Sequence, residues 1–101
     1  VFGRLPEADA GQMRNAWDVL RARLGKPGAA VLATEKDGKP TLLAAGTPEA
    51  VEAGFDAGAV IKAISGNIKG GGGGKAAMAQ AGGKDASGID AALEAAREML
   101  L

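Results

Sequence analysis

Cysteine and histidine are both absent from the 101 residues of this chain. The first absence rules out disulfides and thiolate metal sites and suits a cytosolic protein. The second removes the commonest general base. Together they take away the usual nucleophile pairs and most zinc sites, leaving scattered carboxylates, lysines and hydroxyls for any chemistry. Aromatics are almost as scarce, with Trp17, Phe2 and Phe55 as the whole set and no tyrosine. A core drawn mainly from Ala, Val, Leu and Ile is small in volume and favours close backbone packing. No sign of charge dominates, because 12 basic and 12 acidic residues cancel. There is thus no global field to attract nucleic acid, and any RNA contact must come from local clustering. No apolar run approaches the roughly 18 residues of a membrane helix, and Val1 to Leu5 is too short for the core of a signal peptide. The expectation is a soluble, cytoplasmic chain with no membrane partner.

What is present is enough for one domain: 47% of the residues are apolar, sufficient for a single core. Val1-Phe2-Gly3-Arg4-Leu5 is rich in strand formers before Pro6 interrupts it, and reads as a chain cut just ahead of a strand. From about Asp9 to Leu24, apolar residues at Met13, Trp17, Leu20 and Leu24 fall on one helix face, with Asp9 as cap and Gly25 and Pro27 as stop. Arg14, Arg21 and Arg23 fall on the solvent side. Ala29 to Glu35 and Thr41 to Ala45 are β-capable runs joined by Lys36-Asp37-Gly38-Lys39, a hairpin signal. Thr47-Pro48-Glu49 starts a short helical turn. A longer helix is expected from about Asp56 to Ile68, burying Val60, Ile61, Ile64 and Ile68. Ser87 with Asp90 reads as a capping box ahead of a terminal helix lined by Ile89, Leu93, Ala96 and Leu100.

Between these helices lies an unusual stretch: Gly70 to Gly74, then Lys75-Ala76-Ala77-Met78-Ala79-Gln80-Ala81, then Gly82-Gly83. A flexible linker is the simplest reading of glycine-rich sequence. Against it, the run contains no Ser or Thr, continues into an alanine-rich stretch, and sits inside one small domain. An ordered loop is the better expectation, with glycines where φ is positive or a backbone approaches closely. A P-loop is excluded because Ala76 follows Lys75 where Ser or Thr is needed. A dinucleotide-binding fingerprint fails because Lys75 occupies its third glycine and no strand-turn-helix context surrounds it.

The whole string from Gly70 to Gly83 resembles the glycine-basic-Pro-acidic-Met-Ala-Gln-Ala-Gly-Gly signature near the C-terminus of alanyl-tRNA synthetases. The resemblance extends upstream through Ala57-Gly58, Ile61-Lys62 and the Asp-Gly hairpin, and downstream through Lys84-Asp85 and the terminal helix. Ala76 and Ala77 stand where that family has Pro and an acidic residue. A wider form of the domain accompanies DHH-family phosphoesterases, in which a histidine joins the glycine motif. The absence of histidine here favours the synthetase branch.

The resemblance implies an α/β fold of the DHH-associated type: a single domain, residues 1–101, with a small β-sheet containing the hairpin and the Val1 strand, covered by about three helices. It also implies that the parent enzyme is an alanine-tRNA ligase using ATP, magnesium and zinc at sites upstream of this fragment. The fragment itself is expected to be no enzyme, with no cofactor, metal site or catalytic residue of its own. Its expected partners are the alanine-specific tRNA, gripped at the outer corner, and the upstream aminoacylation and editing domains. The alternatives are an oligomerisation role, through a homodimer of the parent, and the substrate-binding domain of a phosphoesterase. The candidate tRNA-binding residues are Lys69, Gly70, Gly71, Gly72, Gly73, Gly74, Lys75, Gln80 and Lys84, with the three lysines expected to share one surface around the glycine loop. A solvated surface is the simpler reading for single lysines, and stronger still for Arg14, Arg21 and Arg23. Trp17 reads as a core anchor. Asp56, Asp85 and Ser87 read as helix caps, and Gln80 as a residue that satisfies backbone groups of the loop.

Overall fold

The Asp-Gly hairpin forms where its residues place it. Strands β2 (Ala29–Lys36) and β3 (Lys39–Gly46) pair antiparallel, with Leu32 opposite Leu43 and Lys36 opposite Lys39. Gly38 takes φ 77° in the turn, a conformation that glycine adopts without steric cost. The computed structural model describes residues 2–4, 10–23, 28–36 and 38–100. Asp9, Leu24, Gly25 and Pro27, expected to bound the first helix, lie outside the described residues, as do Val1 and Asp37.

The hairpin is the centre of a five-stranded sheet in the order β1-β2-β3-β5-β4. Strand β1 (Phe2–Arg4) runs parallel to β2, whereas β5 (Met78–Gly82) and then β4 (Gly71–Gly74) add antiparallel beyond β3. Residues alternate between two faces, and both are covered. Helix α1 (Ala10–Arg23) lays Met13 and Trp17 over Ala30, Leu32, Leu43 and Ala45. Helices α3 (Ala57–Ile64) and α4 (Ile89–Leu100) cover Val31, Ala33, Leu42, Ala44, Ala79 and Ala81 on the other side. This double coverage explains the unbroken burial from Ala30 to Thr34 in β2, where a half-exposed strand would alternate. Met13 and Trp17 are at most 3% exposed, and full burial of such side chains stabilises by about 1.5–3 kcal/mol each.

Among the described residues there are four α-helices rather than about three, the additional one being the five-residue α2 (Pro48–Glu52). Its cap is the expected Thr47, whose hydroxyl accepts from the Ala50 N–H at 3.3 Å. The helix expected over Asp56 to Ile68 keeps α geometry only to Ile64 and then tightens into a 3₁₀ turn over Ser65–Ile68. Ser65, Gly66 and Asn67 are weak helix formers, and the Ser65 hydroxyl turns back toward the Lys62 carbonyl at 3.5 Å. Lys69 ends the turn in the left-handed region, at φ 53°. A 3₁₀ turn over Ala86–Gly88 precedes α4. Its cap is Asp85, and Ser87 lies within the turn instead of capping α4.

The glycine run is ordered, as expected, but it is an edge strand and not a loop. Among the described residues the positive-φ positions are Gly38, Gly54 and Lys69, so none of Gly70 to Gly74 needs glycine for its φ. Close approach is the cause. A Cβ on Gly70 would lie 2.0 Å from the Gly82 oxygen, on Gly72 2.2 Å from the Gln80 oxygen, and on Gly74 2.5 Å from the Met78 oxygen. At Gly71 and Gly73 it would meet nothing within 4 Å. The requirement thus has the period of two of a strand.

This alternation predicts opposite outcomes for neighbouring substitutions. Gly72→Ala should destabilise by about 1–3 kcal/mol through overpacking. Gly73→Ala should be neutral or stabilise by about 0.4–1 kcal/mol by restricting the unfolded chain. Urea unfolding of the two variants checks this, and equal midpoints would overturn it.

Candidate nucleic-acid interface

Strand β4 is exposed at all four residues and forms one edge of the sheet. Its hairpin with β5 closes through the Lys75 N–H, which donates to the Met78 carbonyl at 2.9 Å. The two residues inside the turn are tied to the rest of the fold. The Ala76 carbonyl accepts from the Ala57 N–H at the start of α3, and the Ala77 carbonyl accepts from the Gly46 N–H at the end of β3, both at 2.9 Å. These bonds use backbone groups alone, so alanine suffices at both positions.

At the opposite end of β4, four chain segments meet. The Ile68 carbonyl accepts from both the Lys84 and Asp85 N–H groups, at 2.9 and 3.0 Å, while the Gly70 N–H donates to the Ser65 carbonyl at 3.1 Å and the Gly83 N–H to the Pro40 carbonyl at 3.1 Å. This knot holds an open cleft of about 430 Å³ into which Lys39, Lys69 and Lys84 converge. Gly70, Gly71, Gly82 and Gly83 line it as bare backbone. Among the described residues no ion pair engages these three lysines, although Asp85 feels the charge of Lys69.

Several expected site residues therefore come together, and others do not. Lys69, Gly70, Gly71 and Lys84 share the cleft, joined by Lys39, which sequence reasoning missed. Lys39 belongs to the hairpin turn, and only the pairing of β3 with β5 brings it beside the glycines. Gly72 and Gly73 continue along the exposed edge. Lys75 does not join Lys69 and Lys84 on one surface. It sits past the far end of β4, a strand spanning roughly 13 Å at about 3.3 Å per residue. There Gly74 borders a second, smaller cleft of about 210 Å³ with Asp56, Gly58 and Lys62.

Gln80 is not a satisfier of loop backbone. Its Oε1 accepts from the Arg14 guanidinium at 2.8 Å, tethering α1 to the hairpin, and its buried Nε2 has no hydrogen-bond partner among the described residues. Arg21 lies 3.4 Å from Asp18, so two of the three α1 arginines are occupied. Trp17 is the core anchor expected of it. Asp56 caps α3, accepting from the Ala59 N–H at 3.2 Å. Among the described residues, no three His, Cys, Asp or Glu side chains gather as a metal would require, and no helix is long and apolar enough to cross a membrane.

The DHHA1 domain model matches residues 1–101. The chain belongs to the DHHA1 domain family. It is 45% identical over 100 residues to an alanine-tRNA ligase of Herpetosiphon aurantiacus, which covers 99% of this chain and 11% of that protein. An alanine-tRNA ligase of Dehalococcoides mccartyi is 41% identical, also over 100 residues, covering 99% of this chain and 11% of the relative. This DHHA1 domain thus spans about a tenth of the length of the curated relatives it matches. Its structure is similar to that of the C-Ala domain from Aquifex aeolicus alanyl-tRNA synthetase, with a TM-score of 0.85 and 31% identity over 98% of this chain and 87% of that one. The synthetase resemblance read from the glycine string is borne out.

Beside the basic cleft of this DHHA1 domain, Asp85 holds its cap through two bonds to Ser87, one from the hydroxyl and one from the N–H at 3.0 Å. Those bonds, the hydroxyl's first, hold its carboxyl below its ordinary value; desolvation opposes them, and the charge of Lys69 adds a lesser lowering. A depressed folded-state pKa contributes stability that is present above the unfolded value, near 3.9, and is lost as pH falls through the folded value. Asp85→Asn should therefore cost stability at pH 7, and the gap to the unmodified chain should close as pH falls below about 4. Thermal unfolding from pH 7 to pH 2 measures that gap. A gap that is constant with pH would mean the carboxylate charge plays no part.

Proposed function

We propose that this chain is the tRNA-binding C-terminal domain of an alanine-tRNA ligase, and that it grips the outer corner of the L-shaped tRNA where the D and T loops meet. The observation that carries this reading is end-to-end similarity: 45% identity to a ligase across 99% of the chain, with the same fold as a C-Ala domain. The exposed glycine edge and the converging lysines supply what such a role requires. Bare backbone lets an RNA strand approach where side chains would obstruct it, and ammonium groups position phosphates without reading sequence. Recognition of this kind follows RNA shape.

In the intact enzyme the domain works in the cytoplasm with the aminoacylation and editing domains upstream, steering the acceptor end toward both. The ATP, magnesium and zinc of that chemistry would be held by those upstream domains. A homodimer of the parent is compatible with this arrangement and is not needed for it.

A chain with zero net charge and a few local lysines should bind weakly and with strong salt dependence. Log K should fall by roughly 0.7–0.9 per phosphate contact for each tenfold rise in salt. Titrating the chain with full-length alanine tRNA and with an acceptor-stem minihelix, at several salt concentrations, tests the corner proposal. The whole tRNA should bind measurably tighter. Equal affinity for the two RNAs would remove corner recognition and leave a structural role as the better account.

A further inference from the structure

Among the glycines at the basic end of the sheet, two are not required by the fold. A Cβ on Gly70 or Gly83 would collide with backbone, at 2.0 Å from the Gly82 oxygen and 2.2 Å from the Ile68 oxygen respectively. Those two are structural. Gly71 and Gly82 sit directly opposite each other in the β4–β5 ladder, neither has positive φ, and a Cβ on either would meet nothing within 4 Å. Strand positions of this kind accept β-branched or aromatic residues, and glycine there gives up packing and backbone rigidity. Both line the 430 Å³ cleft. Their bareness leaves the floor of the cleft open, and what stands around that floor is positive: Lys39 from the start of β3, Lys69 from the 3₁₀ turn and Lys84 after β5. Asp85 is committed to Ser87, and Glu35 stands opposite Pro40 on β2 and has its own interaction.

We propose that this cleft is a phosphate-binding site for the RNA backbone, with Lys39, Lys69 and Lys84 as its cations and Gly71 and Gly82 as the opening that admits the phosphodiester. The site rests on the tRNA-binding reading and narrows it: the basic end of β4 holds the phosphates, and Lys75, beyond the far end of the strand, lies outside it. Lys69 is suited to this work because its left-handed backbone is locked. Its N–H donates to the Gly66 carbonyl at 3.2 Å and the following Gly70 N–H to the Ser65 carbonyl, so its Cα is held while the side chain remains exposed. Lys39 is fixed by strand pairing on β2, and Lys84 by its N–H bond to Ile68. Three long side chains are thereby rooted on three rigid points around one opening.

The test uses the 101-residue chain, alanine tRNA, and three variants read by salt-dependent titration and thermal unfolding. Lys39→Gln removes a cleft cation. Lys36→Gln removes an equal charge from the neighbouring strand position, which does not line the cleft. Gly82→Val closes the floor with a strand-favouring residue. Lys39→Gln should weaken binding several-fold and reduce the salt slope by about 0.7–0.9, whereas Lys36→Gln should stay close to the unmodified chain in both. Gly82→Val should weaken binding at least as much, with an unchanged or higher unfolding temperature. If Lys39→Gln and Lys36→Gln behave alike, charge in the cleft has no special role and the site is overturned, while tRNA binding stands. Undiminished binding by a folded Gly82→Val overturns it equally. Failure of the unmodified chain to bind tRNA even at low salt would overturn the tRNA-binding reading and this site with it.

Discussion

The glycine edge of this domain depends on one contact, the approach of the β4 backbone to the β5 backbone with no side-chain atom between them. Gly70, Gly72 and Gly74 make that approach possible, because a Cβ at any of them would fall within 2.5 Å of a β5-side carbonyl oxygen. With β4 drawn in, its last residue Gly74 reaches the N-terminal turn of α3, where a Cβ on Gly58 would lie 3.1 Å from the Gly74 oxygen. The turn carbonyls of Ala76 and Ala77 then serve α3 and β3 as hydrogen-bond acceptors. Buried or half-buried peptide groups must find partners, and here a single hairpin supplies them for two other elements. The edge strand is thus part of the fold's framework while its outer side stays bare.

The same economy of side chains runs through the core. Alanines occupy much of both sheet faces, with Ala30 and Ala45 under α1 and Ala33, Ala44, Ala79 and Ala81 under α3 and α4. Small residues bring the helix layers close, and the few large side chains, Trp17 and Met13 on one side and the isoleucines of α3 on the other, fill what remains. Interiors packed to crystal-like density hold their surface loops rigidly. That rigidity matters for recognition by so few charges, because lysines rooted on fixed backbone lose less freedom on binding.

Zero net charge looks unpromising for the proposed RNA-binding role, and its resolution is spatial. Three of the acidic residues are spent locally: Asp56 and Asp85 on helix caps and Asp18 beside Arg21. Basic groups at the 3₁₀ end of β4 are left to converge. A neutral chain can in this way present a positive end, with affinity drawn from a few phosphates and specificity from shape.

Sequence alone determined the elements whose signals are local. Met13 and Trp17 on one helix face, the Asp-Gly turn between two apolar runs, Thr47 before Pro48 and Asp56 before α3 each act through neighbours a few residues away, and each was legible. The family was legible too, because the string from Gly70 to Gly83 is a composite of many positions. What depended on distant partners was not. That the glycine run is a strand follows from β5 lying beside it, since glycine carries no periodic side-chain pattern to announce an edge. The tightening of the chain after Ile64 draws on the weak helix formers Ser65 to Asn67, but the 3₁₀ turn also packs against distant backbone, Gly83 against Ile68 and Gly88 against Asn67. Lys39 joined Lys69 and Lys84 through the pairing of β3 with β5, and Lys75 was parted from them because the glycine run between is an extended strand. Sheet register sums contacts between residues some forty positions apart in the chain, and no window of sequence contains them.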